Sequence, residues 1–199
     1  MDGKTGYFDI YSVGCFWFTP EEVERLMAGC RVFSLKKGET LYHAGEGEKK
    51  VYYLRKGKTK FHMIYPDGSN RTTSYSEAPG FLGIINVLPG HLMLNHCTAV
   101  TNCEVSACSA ELFMERVREY GLMEKLFQYA VGMARHIYTS LTVLLSEDRV
   151  ALVDMLRNQQ MLTLQETADF IGCSRVHVSR LCRQLEEEAK EKDSEQESS

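Results

Sequence analysis

Leu164-Gln165-Glu166-Thr167-Ala168-Asp169-Phe170-Ile171-Gly172-Cys173-Ser174-Arg175-Val176-His177-Val178-Ser179-Arg180-Leu181 is the stretch on which the reading of this chain turns. It reads as helix, glycine corner, helix. Ala168 is small where two helices must cross closely. Gly172 stands where the chain leaves the first helix, at a left-handed corner that glycine takes at little cost. Ser174 suits the N-cap of the next helix. Ile171, Val178 and Leu181 form an inner face. Ser174, Arg175, Val176, His177, Ser179 and Arg180 fall on or near the outer, N-terminal part of the second helix. In a helix-turn-helix those positions meet base edges and phosphates in the major groove. The plainer alternative is a helical hairpin that only packs; exposed arginines, cap and glycine together at these offsets favour DNA contact.

Working outward, the preceding segments are also helical in pattern. Glu147 to Leu156 is amphipathic through Val150, Leu152, Val153 and Leu156. Leu122 to Ser146 predicts a long helix with two adjacent apolar stripes. One runs through Leu126, Ala130, Met133, Ile137, Ser140 and Leu144; the other through Phe127, Val131, Ala134, Tyr138, Leu141 and Leu145. One stripe suits the chain's own core, and the other has the spacing of a helix that pairs with its twin. Before that, Ser109 caps a short helix over Ala110–Tyr120. From Val32 to Cys108 short apolar runs alternate with turn signals at Lys37-Gly38, Ala44-Gly45, Lys56-Gly57, Pro66-Asp67-Gly68, Pro79-Gly80 and Pro89-Gly90. That punctuation predicts an all-β sandwich or barrel, with a hairpin turn at Pro66–Ser69.

The 199 residues are 44% hydrophobic and 25% charged, which suits a packed globular chain. No run approaches the roughly 20 apolar residues of a membrane helix, and the first residues show no secretory pattern, so a cytoplasmic protein away from membranes is expected. The seven cysteines include no CxxC pair and are expected as free thiols. The net charge of −4 is unevenly placed: 186–199 holds seven acids and two lysines, which leaves the rest of the chain near neutral. The tail, 189–199, is expected to be disordered. P-loop, HExxH, nucleophile-elbow and His-x-His patterns are absent, so neither an enzyme nor a metal site is expected.

Gly172-Cys173-Ser174-Arg175 followed by Val178-Ser179-Arg180 resembles the recognition-helix signature of the CRP/FNR family of bacterial transcription regulators. The N-terminal half agrees. Lys37-Gly38-Glu39, Gly45, Val51-Tyr52-Tyr53-Leu54, Gly57, Asp67-Gly68 and Pro79-Gly80-Phe81-Leu82-Gly83 resemble, in order, the β-roll of the cyclic-nucleotide-binding fold. The resemblance implies an α+β fold: an antiparallel β-roll for effector sensing (1–120), a long dimerisation helix (121–147) and a shortened helix-turn-helix domain lacking most of its wing (148–188). It implies a homodimer, a small-molecule effector, double-stranded DNA with a palindromic operator and, for an activator, RNA polymerase.

The departures redirect the effector. Cyclic-AMP members of the family carry a glutamate where this chain has Ile84, and an arginine that meets the phosphate; 84–96 holds no arginine. A cyclic phosphate buried without a cation is costly. The candidate effector residues are therefore Tyr75, Gly83, Ile84, Ile85, Leu92, Met93, Leu94, Tyr129 and Met133, expected to suit a lipophilic or aromatic ligand. The run Lys60–Ser69, with this apolar segment, is most similar to the halorespiration-regulator branch, whose members sense halogenated phenols. Two sensing alternatives remain. A haem cofactor would draw on His91, His96 and Cys97, although neighbouring strand residues point to opposite faces. A redox switch would draw on Cys15, Cys103 and Cys108. Val176 replaces a glutamate of many family members, so the operator should differ there. The missing wing and acidic tail keep open a ligand-binding dimer with a vestigial helix-turn-helix.

Overall fold

The computed structural model describes residues 18–47, 49–87, 92–144, 149–154, 156–157 and 162–197. They fall into two compact units that part within one long helix, between Arg135 and His136.

The first unit opens with α1 (Pro20–Leu26), whose start is set by a reciprocal capping box. The Glu22 backbone N–H donates to Thr19 Oγ1, and the Glu22 carboxylate accepts from the Thr19 backbone. Eight strands follow: β1 (Arg31–Leu35), β2 (Thr40–Tyr42), β3 (Lys50–Lys56), β4 (Lys58–Ile64), β5 (Asn70–Glu77), β6 (Gly80–Leu82), β7 (His96–Ala99) and β8 (Cys103–Ser109). They form two four-stranded sheets, ordered β1-β8-β3-β6 and β2-β7-β4-β5, with every pairing antiparallel. The turn at Pro66–Ser69 closes the β4–β5 hairpin as the sequence predicts: Gly68 takes φ +80° and Asp67 Oδ1 accepts from Ser69 N at 2.8 Å. At Gly57 (φ +95°) the need for glycine is steric as well, because an added Cβ would lie 2.5 Å from the Asn102 carbonyl oxygen.

Strand alternation sorts the apolar residues into two cores. Leu35, Tyr42, Tyr52, Leu54, Leu82, Cys97, Cys103 and Val105 fill the space inside the roll. The second core lies against α2 (Ala110–Glu119) and the start of α3 (Met123–Leu144), and holds Leu26, Val51, Phe81, Phe113, Val117, Leu126 and Tyr129. Ser109 caps α2 by accepting from Leu112 N at 3.1 Å. Lys125 on α3 forms an ion pair with Glu22 on α1 at 2.6 Å.

The long helix matches its expected span to within two residues at each end, but its buried face is shifted. Leu122, Leu126, Tyr129 and Met133 face the core, whereas Ala130 is exposed. Tyr129 shares the inward face because Leu122, Leu126, Tyr129 and Met133 follow one another at spacings of 4, 3 and 4, which leaves Ala130 a further 100° round the helix. The second stripe is exposed at Phe127, Val131 and Tyr138. The side chains of Ile137, Ser140, Leu141 and Leu144, and all of Leu145, lie outside the described residues.

The second unit comprises the remainder of α3, then α4 (Arg149–Asp154), α5 (Leu164–Ile171) and α6 (Arg175–Glu197), with α4 and α5 each packed against α6. Leu152, Val153, Leu156, Leu162, Ala168, Phe170, Ile171 and Val178 are buried. The expected disorder of the tail is corrected: α6 does not end near Glu188 but continues as helix to Glu197. Glutamate, lysine, glutamine and alanine are all good helix formers, and Gln184 Nε2 donates to Glu188 Oε1 one turn on, at 2.9 Å.

Candidate nucleic-acid interface and effector segment

The second unit places the candidate DNA-contact residues at the corner between α5 and α6 and on the first turns of α6. Thr163 and Glu166 form a capping box at the start of α5. The helix ends at Gly172, which adopts the left-handed conformation at φ 75° and ψ 40°, and whose N–H returns to the Ala168 carbonyl. The chain then turns into α6, and Ser174 Oγ accepts from His177 N at 3.2 Å. Val178 is fully buried, which fixes the roll of α6 about its axis. Arg175, Val176, His177, Ser179 and Arg180 consequently face solvent, Val176 with 62% of its surface exposed. Arg183, also exposed, lies one turn beyond Arg180 on the same face. Its i+3 spacing from Arg180 is the signal in the sequence that places it there.

The effector candidates are not gathered in one place. Ile84 and Tyr129 are buried in the helix-side core with Met133 packed against it, and the Tyr129 hydroxyl donates to the Phe81 carbonyl at 3.3 Å. Phe81 meets Phe18 and Phe113 edge-on, each at 5.5 Å between ring centres. Gly83, at φ 70°, turns the chain just before Ile84. Met93 belongs to the other core, inside the roll. Tyr75 is buried on β5, with the Lys58 ammonium 5.1 Å from its ring centre. Ile85, Leu92 and Leu94 are 37%, 54% and 65% exposed and do not line a shared apolar pocket with Ile84 and Met93. The physical reason is a pinned strand-like segment: Met93 N donates to the Glu46 carbonyl and Gly45 N to the Met93 carbonyl. Met93 is thereby held inward, and its neighbours on either side point out.

The haem and redox alternatives fare differently. His96 and Cys97 do point to opposite faces of β7; Cys97 is wholly buried, and burial pushes its thiol up to about 12. Cys103 sits in the roll core and Cys108 in the helix-side core, beside Cys30, so a direct Cys103–Cys108 pairing is ruled out by placement. Burial also pushes the Cys108 thiol up to about 12. His91 and Cys15 lie outside the described residues. Among the described residues, no group of three or more His, Cys, Asp or Glu side chains is placed to share a metal ion, and no helix is long and apolar enough to cross a membrane.

The comparisons with known proteins accord with this architecture. The model of the cyclic nucleotide-binding domain matches residues 32–120. The chain is 24% identical over 189 residues to the cAMP-activated global transcriptional regulator CRP of Escherichia coli, a match covering 85% of this chain and 89% of that one. It is 23% identical over 175 residues to the global nitrogen regulator of Synechocystis, covering 78% of each. Among solved structures, the c-di-GMP responsive global regulator CLP of Xanthomonas campestris superposes with a TM-score of 0.69 at 16% identity, covering 86% of this chain and 93% of that one. CprK complexed with OCPA gives 0.67 at 16% identity, covering 90% and 89%.

A β-roll followed by a long helix and a helix-turn-helix is an architecture that this chain shares with transcription regulators carrying the cyclic nucleotide-binding domain. Among these, the chain is similar to regulators of the CRP/FNR type.

Proposed function

We propose that this chain is an effector-responsive, DNA-binding transcription regulator whose effector is small and lipophilic or aromatic rather than cyclic AMP. The observation that carries the DNA-binding part is the solvent face of α6. Ser174, Arg175, Val176, His177, Ser179 and Arg180 project from a helix whose roll is fixed by buried Val178 and whose entry is fixed by Gly172. Arg175 and Arg180 supply guanidinium forks for guanine edges or phosphates, and Arg183 adds a phosphate contact. The exposed Phe127 and Val131 on α3 suit pairing with a second copy. A dimer would read a palindromic operator with half-sites about 34 Å apart. It would work in the cytoplasm and, as an activator, with RNA polymerase.

The effector part rests on Ile84. The position at which the family resemblance places a ribose-binding glutamate holds an apolar side chain packed among Phe81, Phe113 and Tyr129. Relatives on this fold are described as responding to cAMP or c-di-GMP, or are seen with OCPA, so the fold by itself leaves the effector open. Ile84, Tyr129 and Met133, which share the helix-side core, are the residues on which the effector contact is proposed; Met93, Tyr75, Gly83, Ile85, Leu92 and Leu94 are not gathered with them into one pocket.

Selection from a random duplex library, at two salt concentrations and with the reduced protein, tests the reading. A palindrome should be enriched. Arg180→Ala should abolish sequence-selective binding while leaving weak, salt-sensitive binding to any duplex. Unchanged selectivity in that variant would overturn the assignment. The acidic C-terminal half of α6 favours a second reading, a ligand-binding dimer that no longer reads DNA, because acids near phosphate repel it. Failure to enrich any sequence, with and without phenolic ligands, would establish it.

A further inference from the structure

Three histidines form a row across the sheet β2-β7-β4-β5. His62 on β4 and His96 on β7 are direct cross-strand partners. His43 follows β2, whose Tyr42 pairs with Cys97, and so lies level with His96 on its other side. The rings touch. His62 stacks on His96 with centroids 5.1 Å apart, and His43 meets His96 edge-on at 5.4 Å. His62 has both nitrogens engaged, Nδ1 with Asn70 Oδ1 at 2.9 Å and Nε2 with Thr98 Oγ1 at 3.0 Å. His43 and His96 instead turn their Nδ1 atoms toward each other, 3.2 Å apart. Two imidazole lone pairs do not share such a gap unaided: a proton lies between them, or a cation does.

We propose that His43 and His96 chelate one divalent transition-metal ion of the Zn2+, Ni2+ or Cu2+ type through their Nδ1 atoms, with water completing the coordination shell. The separation fits. With metal–nitrogen bonds of about 2.0–2.1 Å, two nitrogens on one tetrahedral ion stand roughly 3.3 Å apart, and at a right angle about 2.9 Å. Imidazole is the ligand these ions favour. His43 is solvent-exposed and His96 half-buried, so an ion can enter and keep water ligands. The geometry is prepared on both sides. The stacked ring of the buried His62 supports His96, and the His43 backbone N–H donates to Glu46 Oε2 at 2.9 Å, fixing the turn that carries the ring. Orienting groups of this kind govern affinity at metal sites. The carboxylate of Glu46 also adds negative charge beside that turn, although it is not placed as a third ligand. Ala44 N also donates to His96 Nδ1, at 3.4 Å, a long contact that an ion would displace. On binding, the ring that carries its proton on Nδ1 gives it up there and takes one at Nε2, so that both rings coordinate as neutral imidazoles. The ion would tie the turn after β2 to β7. Cys97, next in the chain to His96, points into the core, so the ligand set is nitrogen without sulfur.

That last point makes the test sharp, because the chain also carries seven cysteines. The full-length reduced protein is titrated with Ni2+ by calorimetry and with Co2+ by absorption, above the ordinary imidazole pKa of about 6.5. The expected result is one equivalent of Ni2+ bound, at least roughly tenfold more weakly in His43→Gln and in His96→Gln, with no further loss in the double variant. The first Co2+ equivalent should show no thiolate-to-metal charge-transfer band. Undiminished binding in either variant, a thiolate band at the first equivalent, or no uptake by the wild type would overturn the proposal. Should a variant fail to fold, imidazole NMR of the wild-type protein decides. Ni2+ should broaden His43 and His96 first, and earlier broadening of His136 or His177 would reject the site.

Discussion

Gly57 and Gly68 both adopt left-handed backbone, at φ +95° and +80°, yet they answer to different physics. A Cβ on Gly68 would meet nothing within 4 Å, so Gly68→Ala carries only the conformational penalty, about 1 kcal/mol. A Cβ on Gly57 would stand 2.5 Å from the Asn102 carbonyl oxygen, 2.7 Å from Cys103 Sγ and 2.9 Å from Thr101 Oγ1. Backbone must shift to admit it. Gly57→Ala is therefore expected to destabilise by roughly 2–4 kcal/mol, read as a drop in the urea midpoint well beyond that of Gly68→Ala. Equal effects would show that the close approach relaxes freely. The Glu22–Lys125 pair gives a second residue-scale expectation. The Lys125 ammonium, donating to the Glu22 carboxylate, holds it below the usual carboxylate range. An acid with a lowered folded pKa binds fewer protons folded than unfolded. Its contribution is complete above the unfolded value of about 4.3 and is lost as pH falls through the folded one. Lys125→Ala should lower stability at neutral pH by no more than about 1 kcal/mol and flatten the decline below pH 4–5. Denaturant midpoints across that range check it.

At the scale of elements, α5 and the corner into α6 were legible from the sequence because every local signal agrees there. Thr163 caps, Glu166 answers it, Gly172 takes the left-handed corner and Ser174 starts the next helix. Thr163→Ala removes one partner of the box and is expected to cost about 1 kcal/mol, seen as a lower melting temperature of the helical unit. The β4–β5 hairpin was legible for the same reason, through Asp67-Gly68. The effector segment was not. Residues 92–94 read as uniformly apolar, and what turns Met93 in and Leu92 and Leu94 out is a pair of backbone bonds to Gly45 and Glu46, far away in sequence. Likewise the histidine row is assembled from three strands, and no spacing along the chain announces it. The acidic tail was misread because few apolar residues signify no core, whereas a helix extended from an anchored first half needs none of its own.

At the scale of the whole molecule, the expectation concerns copy number. Phe127 and Val131 are 69% and 51% exposed one turn apart on α3, more apolar surface than a helix ordinarily leaves in water. The chain is expected to sediment as a dimer at micromolar concentration, and Phe127→Glu to sediment as a monomer with unchanged circular dichroism. A wild-type monomer would remove the stripe from the dimer interface. A different consequence follows from α6. Its 23 residues make a rod about 34 Å long. Arg175, His177, Arg180 and Arg183 lie toward one end, and Glu186, Glu187, Glu188, Glu191, Asp193, Glu195 and Glu197 toward the other. The backbone dipole runs in the same sense, positive at the leading end. The helix is thus a compass needle. In the field of a polyanion such a charge order favours the orientation with the arginine end forward.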